Sequence, residues 1–435
     1  MTTYRELSKA AQEELLASLY EEYKGFVAKG LKLNMTRGKP APEQLALSHG
    51  MFDVLSSKTD PAIIGELLHE GQVDDLRNYG GLVGLPEARA LMALIMDVAP
   101  EETIVCGNSS LNIMYDLVSQ AMTQGIANQT PWAKLDAPVK FLCPSPGYDR
   151  HFALTAHFGI KMIPIPMTAE GPDMYLVERH VNTDLSVKGI WCVPKYANPC
   201  GVTYSEDIVK QFASLTPAAK DFRIYWDNAY AVHDFTQPGD ALPSIKAACE
   251  KTGNKNLWYM FSSTSKITFA GAGISAVASS PENIEEIRSR LSLQTIGPDK
   301  LNQLRHVLFL KDLNGVRAHM QKHAEILAPK FKKVLEILDA ELSGLGLGEW
   351  TRPKGGYFIS YLGMSRTAKR IVQLAKDAGL ILTEAGATYP YGNDPYDSNI
   401  RIAPSYPSLE EIEVASRLFV LCVKIISLEV LLKRK

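Results

Sequence analysis

An α/β fold, with a large domain on a mostly parallel seven-stranded sheet and a smaller α+β domain beside it, is what this sequence predicts. Two observations carry the expectation. From about Pro86 to Ser280 seven β-rich runs (ETIVCG, VKFLCP, KMIPIP, GIWCVP, RIYWDN, LWYMFSS and GISAVASS) alternate with helical stretches. Strands separated by helices pair in parallel through crossovers and are covered on both faces. Beyond them a long helical stretch, about Leu313 to Leu342 with Pro329 as a kink or break, leads into the strand-like runs GYFISYLG, LILTEAG and NIRIAPS.

Tyr4 to Val27 places Leu7, Leu15, Leu16, Leu19, Tyr23 and Phe26 on one helical face. The segment LKLNMTRGKPAP that follows is broken by Gly38, Pro40 and Pro42 and reads as an irregular connector, the kind of segment that often lines sites. Leu418 to Leu432 is apolar, but Lys424 and Glu429 interrupt it well short of a membrane span, so it reads as a core-packed helix. The expected division is an N-terminal arm with part of the small domain over 1–50, a large domain over 51–325 and the rest of the small domain over 326–435. Neither a fixed-period repeat nor a low-complexity tract is present.

With 46 basic and 48 acidic residues among 435, the chain offers no overall charge for a nucleic acid or a membrane surface. Its six cysteines lack metal-like spacing and read as buried free thiols. The polar N-terminus lacks a secretory pattern, and a cytoplasmic address is expected.

In open α/β sheets ligands bind at the C-terminal strand ends, and four strand ends here carry reactive residues. FSSTSKITFAGAGIS ends a strand in hydroxyls, then places Lys266 before a glycine-rich turn. An amine there can form a Schiff base with an aldehyde cofactor while Ser263 and Ser265 donate to a phosphate; alone, Lys266 is equally a surface lysine. In RIYWDNAYAVHDF, Asp227 and Tyr230 stand past a strand end, suited to a pyridine nitrogen and a ring oxygen, or simply to a helix cap and a packed ring. CVPKYANPCG carries the Asn198-Pro199-x-Gly201 turn, and IVCGNSSLNIMYDL presents Asn108, Ser109 and Ser110 to an anion at a helix start.

In this order and spacing the pieces resemble fold-type I pyridoxal 5'-phosphate (PLP) enzymes, the aspartate aminotransferase superfamily. The likeness spans about Asn34 to Pro404, with S-x-S-K at Ser263 to Lys266, D-x-x-Y at Asp227 to Tyr230 and N-P-x-G at Asn198 to Gly201. The resemblance implies that Tyr79 reaches the cofactor phosphate of a partner subunit, hence a homodimer. It also implies that Tyr148 stacks on the pyridine ring, that the chain closes over substrate at Gly38, and that Arg401 grips the substrate α-carboxylate. RPKGGYFISYLG matches a small-domain hairpin.

One departure stands out. Where most of the superfamily has G-x-R to neutralise the phosphate, this chain has Gly271-Ala272-Gly273. Asn108 to Ser110, Ser263, Ser265 and the partner's Tyr79 are the expected substitutes. That run, with PKYANPCG and QTIGPDKLNQLRH, resembles a divergent MocR-like branch, here without room for a DNA-binding domain. The implied activity is transamination between an amino acid and a 2-oxo acid, aspartate with 2-oxoglutarate preferred and the distal carboxylate read by Arg37 or Arg150. Other PLP chemistry (β-lyase, decarboxylase) or a PLP-sensing regulator are the alternatives.

Overall fold

The computed structural model describes residues 3–59 and 76–433. Strand β1 (Leu33–Met35) lies inside the segment expected to be irregular. It pairs in parallel with a distant strand near residue 381, through Asn34 and Ile381, so a tertiary partner gives three residues a ladder that local sequence does not announce. The next seven strands are β2 (Thr103–Cys106), β3 (Lys140–Ser145), β4 (Lys161–Pro166), β5 (Val187–Cys192), β6 (Arg223–Asp227), β7 (Trp258–Ser263) and β8 (Ser275–Ala278). They form one sheet in the order β2-β8-β7-β6-β5-β3-β4.

Parallel pairing holds for β4, β3, β5, β6 and β7, whereas β8 runs antiparallel to both β7 and β2. The alternation rule fails at β8 because no helix separates it from β7, and the loop 264–274 brings the chain back pointing the other way. Since β2 and β7 both oppose β8, every strand except β8 delivers its C-terminal end to the same edge.

Alternate residues divide between the two faces of this sheet. Leu142, Ile190, Ile224, Trp226, Met260 and Ala276 pack on one side, and Phe141, Trp191, Tyr225, Tyr259, Phe261 and Val277 on the other. Both faces are apolar, which is why the strands read as unbroken hydrophobic runs.

A separate apolar cluster joins Leu19, Tyr23 and Phe26 of the helix Lys9–Ala28 to residues of the helices Ala368–Asp377 and Leu409–Leu432. Strands β9 (Gly348–Trp350), β10 (Ile359–Gly363) and β12 (Asn399–Ile402) form an antiparallel sheet there, and β11 (Leu380–Leu382) is the partner of β1. The helix Leu313–Leu342 links the two clusters and continues through Pro329 without the expected break. Buried Leu327, Phe331 and Val334 hold both sides of the proline, offsetting the hydrogen bond it cannot make. Among the described residues no helix is long and apolar enough to cross a membrane.

At the edge opposite the strand ends, Asp221 accepts from Lys188 Nζ at 2.6 Å and from Trp132 Nε1 at 2.8 Å, all three side chains being buried. Removing one partner of such a pair strands the other charge. Asp221→Ala is expected to cost roughly 3–5 kcal/mol, read as a lower denaturation midpoint in urea. A midpoint within error of the parent would show that Lys188 finds another partner.

Candidate active site

A cavity of about 690 Å³ opens at the edge where the strands end, between the large sheet and the second cluster. Its lining includes thirteen of the residues expected from sequence: Arg37, Gly38, Ser109, Ser110, Tyr148, Arg150, Asn198, Asp227, Tyr230, Ser263, Ser265, Lys266 and Arg401. Two others lie elsewhere. Asn108 is outside the lining, though its carbonyl accepts from Ser265 Oγ at 3.1 Å. Tyr79 is 79% exposed and is not among the residues lining this cavity.

Lys266 sits in the return between β7 and β8, a turn closed by Thr264 N–H donating to Ile274 O and Ile274 N–H donating to Thr264 Oγ1. Its Nζ makes no hydrogen bond or ion pair among the described residues, and lies 5.0 Å from the Tyr230 ring centroid and 5.9 Å from that of Tyr357. Burial pushes the Lys266 amine below its ordinary pKa, and the Asp227 carboxylate opposes the shift only in part. A lysine in this state spends more of its time as the neutral amine, the form that can attack a carbonyl or take up a proton.

Asp227, the last residue of β6, is 4% exposed. His151 Nε2 lies 3.1 Å from its Oδ2, while its Oδ1 is buried with no partner. An orphaned carboxylate oxygen facing a cavity is a place for a ligand donor, since a buried polar atom is otherwise costly to leave unpaired. Burial first, then Tyr148 and Asp227, raise the Tyr230 phenol well above its usual range, and burial lifts Tyr148 to about 12. Both remain neutral donors near pH 7.

Ser109 stands at the N-cap position of the helix Ser110–Gln124 without a side-chain cap bond, and Ser109, Ser110 and Leu111 of this helix start line the cavity. Ser263 Oγ donates to Ser265 Oγ at 3.2 Å, so the two hydroxyls form one small polar cluster. Gly273, at the position of the G-x-R arginine, has no room for a side chain without displacing its neighbours. A Cβ there would stand 2.9 Å from Thr264 Oγ1 and 3.2 Å from Ser265 N. Gly38 is equally constrained, its missing Cβ lying 2.5 Å from Phe358 Cζ.

Arg401, on β12, is 6% exposed and pairs with Asp149 Oδ1 at 2.8 Å. Asp149, the sequence neighbour of Arg150, is therefore committed to Arg401. Arg37 and Arg150 are exposed on the cavity rim and make no side-chain hydrogen bond or ion pair among the described residues.

Sequence reasoning missed several residues. His151 stands three positions after Tyr148, one helical turn away, and that spacing was its available signal. Behind the Lys266 turn, three histidines hold backbone or hydroxyl groups. His233 Nε2 is 3.3 Å from Lys266 O and His319 Nε2 is 2.8 Å from Ile267 O. A carbonyl only accepts, so each of these nitrogens carries the proton. His306 Nδ1 donates to Asn302 O at 2.8 Å, leaving Nε2 to accept from Thr264 and Thr268. Asn302 Nδ2 in turn donates to the carbonyls of Ala272 and Gly273. These partners come from remote segments, and only the i, i+4 spacing of His319 and His323 was visible beforehand.

The family described as Aspartate amino-transferase matches residues 7–435. An aspartate aminotransferase of Corynebacterium glutamicum is 45% identical over 403 residues, covering 92% of this chain and 91% of the relative. A Mycolicibacterium smegmatis protein named as an aminotransferase is 47% identical over 430 residues, 98% of this chain and 97% of its own length. The crystal structure of an aspartate transaminase from Corynebacterium glutamicum superposes with a TM-score of 0.93 at 42% identity, covering 99% of both chains.

Burial pushes His306 down to about 4. In the unfolded chain the same group titrates near ~6.5, so the unfolded state binds more protons between those values. Stability is fully present above about pH 6.5 and is lost as pH falls toward about 4. In His306→Gln the acid slope of the melting free energy should be shallower by up to about 1.4 kcal/mol per pH unit. An unchanged slope would mean that His306 contributes nothing to acid sensitivity.

Proposed function

Because the chain belongs to the aspartate aminotransferase family and is a PLP-dependent aminotransferase, we propose that it transfers the amino group of aspartate to 2-oxoglutarate. The observation that carries the choice is a cavity holding Arg401 together with two rim guanidinium groups, Arg37 and Arg150. One cation suffices for the carboxylate shared by all amino acids, and a second suits a dicarboxylate. The name of the Corynebacterium glutamicum relative supports the same substrate.

The residues present fit PLP, whose pyridine nitrogen would find a partner in the orphaned Asp227 Oδ1. When bound, the cofactor supplies an electron sink for the bonds to the substrate Cα. Lys266 Nζ anchors it at rest and, once freed, accepts the Cα proton, a task suited to an amine whose pKa burial has lowered. Asp227, oriented by His151, would keep the ring nitrogen protonated. Tyr230 would donate to the ring oxygen and Tyr148 would cover the ring face. Ser109, Ser110, Ser263, Ser265 and the backbone at Asn108 hold the phosphate without a countercharge, in a site where Gly273 excludes an arginine. Arg401 with Asn198 takes the α-carboxylate, and the segment at Gly38 covers the substrate.

Tyr79, exposed on this chain, is assigned to the phosphate of a partner's cofactor, and the active unit to a homodimer. We assign 51–325 to the large domain and 1–50 with 326–435 to the arm and small domain. The second apolar cluster, drawn from both chain ends, supports that division. Six free thiols suit the reducing cytoplasm.

Lys266→Ala should lower turnover by at least roughly 10²- to 10⁴-fold, and borohydride reduction followed by peptide mapping should place the cofactor on Lys266 in the parent. Cofactor mapped to another lysine would overturn the assignment. Of Arg37→Ala and Arg150→Ala, the one that removes the distal receptor should lose roughly tenfold to a hundredfold in kcat/KM for aspartate and spare alanine. Equal losses on both substrates in each variant would refute a distal role for either residue.

A further inference from the structure

Arginine offers five N–H donors, and Arg401 has few left for a ligand. Its Nε donates to Thr383 Oγ1 at 3.3 Å, Nη1 to Asp149 Oδ1 at 2.8 Å and to Asn198 Oδ1 at 3.3 Å, and Nη2 to Thr36 O at 3.4 Å. A single N–H on Nη2 remains. Bidentate grip on a carboxylate needs two parallel N–H groups, so at least one partner must leave.

Charge identifies which one. Asn198, Thr383 and the Thr36 carbonyl are neutral and sit at 3.3 to 3.4 Å, whereas Asp149 makes the shortest contact and is the only anion among the four. A second carboxylate on the same buried guanidinium would face that of Asp149 at close range, a repulsion the neutral partners do not impose. Asp149 also has somewhere to go. Its side chain is 33% exposed, it begins the helix Asp149–His157, whose N-terminal dipole favours an anion, and it adjoins the unpaired rim residue Arg150.

We propose that Asp149 is a built-in carboxylate that occupies Arg401 while substrate is absent and is displaced by the incoming α-carboxylate, so that it sets the affinity for carboxylate ligands. The proposal rests on the reading of Arg401 as the α-carboxylate receptor. Tight Arg401–Asp149 pairing keeps a buried cation neutralised between turnovers and makes every carboxylate compete for the site.

The test is calorimetric titration of the PLP-loaded enzyme with succinate, an unreactive dicarboxylate, in the parent, Asp149→Asn, Asp149→Ser and Arg401→Lys. Removing the competitor should lower the succinate Kd about three- to tenfold in both Asp149 variants. The gain should persist at about 0.5 M NaCl, where distant charge effects are screened and a direct contact is much less so. A Kd that is unchanged or higher in both Asp149 variants, or a gain that vanishes in salt, overturns the proposal and leaves the Arg401 reading standing. If Arg401→Lys binds succinate as the parent does, the receptor reading itself fails, and the proposal with it.

Discussion

Six strands of the large sheet point the same way, and the cavity exists because of it. Parallel strands leave their C-terminal ends along one edge, where the chain must turn and backbone groups are still unpaired. Asp227 is such an end, and Ser109, Tyr148, Asn198 and Lys266 lie within a few residues of others. The sheet interior contributes no chemistry of its own. Its two apolar faces, with Phe141, Trp191 and Tyr225 on one and Leu142, Ile190 and Trp226 on the other, hold those ends in register.

Reversal at β8 is the one exception to that direction, and it shapes the position of Lys266. The chain comes back through residues 264–274, and Thr264 closes that loop through both backbone and hydroxyl bonds to Ile274. Thr264 Oγ1 and Ser265 N crowd the position of a Cβ at Gly273, which gives the departure from G-x-R a steric cause. The loop also leaves carbonyl groups directed away from the sheet, and His233, His319 and Asn302 satisfy them from behind. Neutral imidazoles suit that place because a charged group so deep would add to the burden on Lys266. Burial holds His233 well below its usual pKa, and the Lys266 charge pushes it further the same way.

Two polar groups that would be liabilities in a core stand at this edge. The Asp227 Oδ1 is buried without a partner, and the Lys266 amine has neither ion pair nor hydrogen bond among the described residues. Leaving such groups unpaired costs stability, and the packed sheet beneath offsets the cost. Arg401 differs in having four of its five N–H donors engaged, so the same cavity holds groups waiting for partners and one group that must exchange them.

Local sequence determined the seven large-sheet strands, the apolar terminal helices and the strand-end placement of Lys266, Asp227 and Asn198, because apolar runs and turn residues act over a few positions. Motif order then identified the family. Tertiary structure alone decided the antiparallel β8, the pairing of β1 with β11, and the continuity of the helix through Pro329, since each depends on a partner distant in the chain. It also revealed what the segment QTIGPDKLNQLRH does: Asn302 and His306 brace the lysine turn. Likewise, Asp149 and His151 are adjacent to Tyr148 in sequence, but their roles come from Arg401 and Asp227, 252 and 76 residues away. Spacing along a chain reports which side chains share a local face, whereas hydrogen bonds and ion pairs form between whichever groups the packed sheet brings within about 3 Å, and that distance is set only by the whole fold.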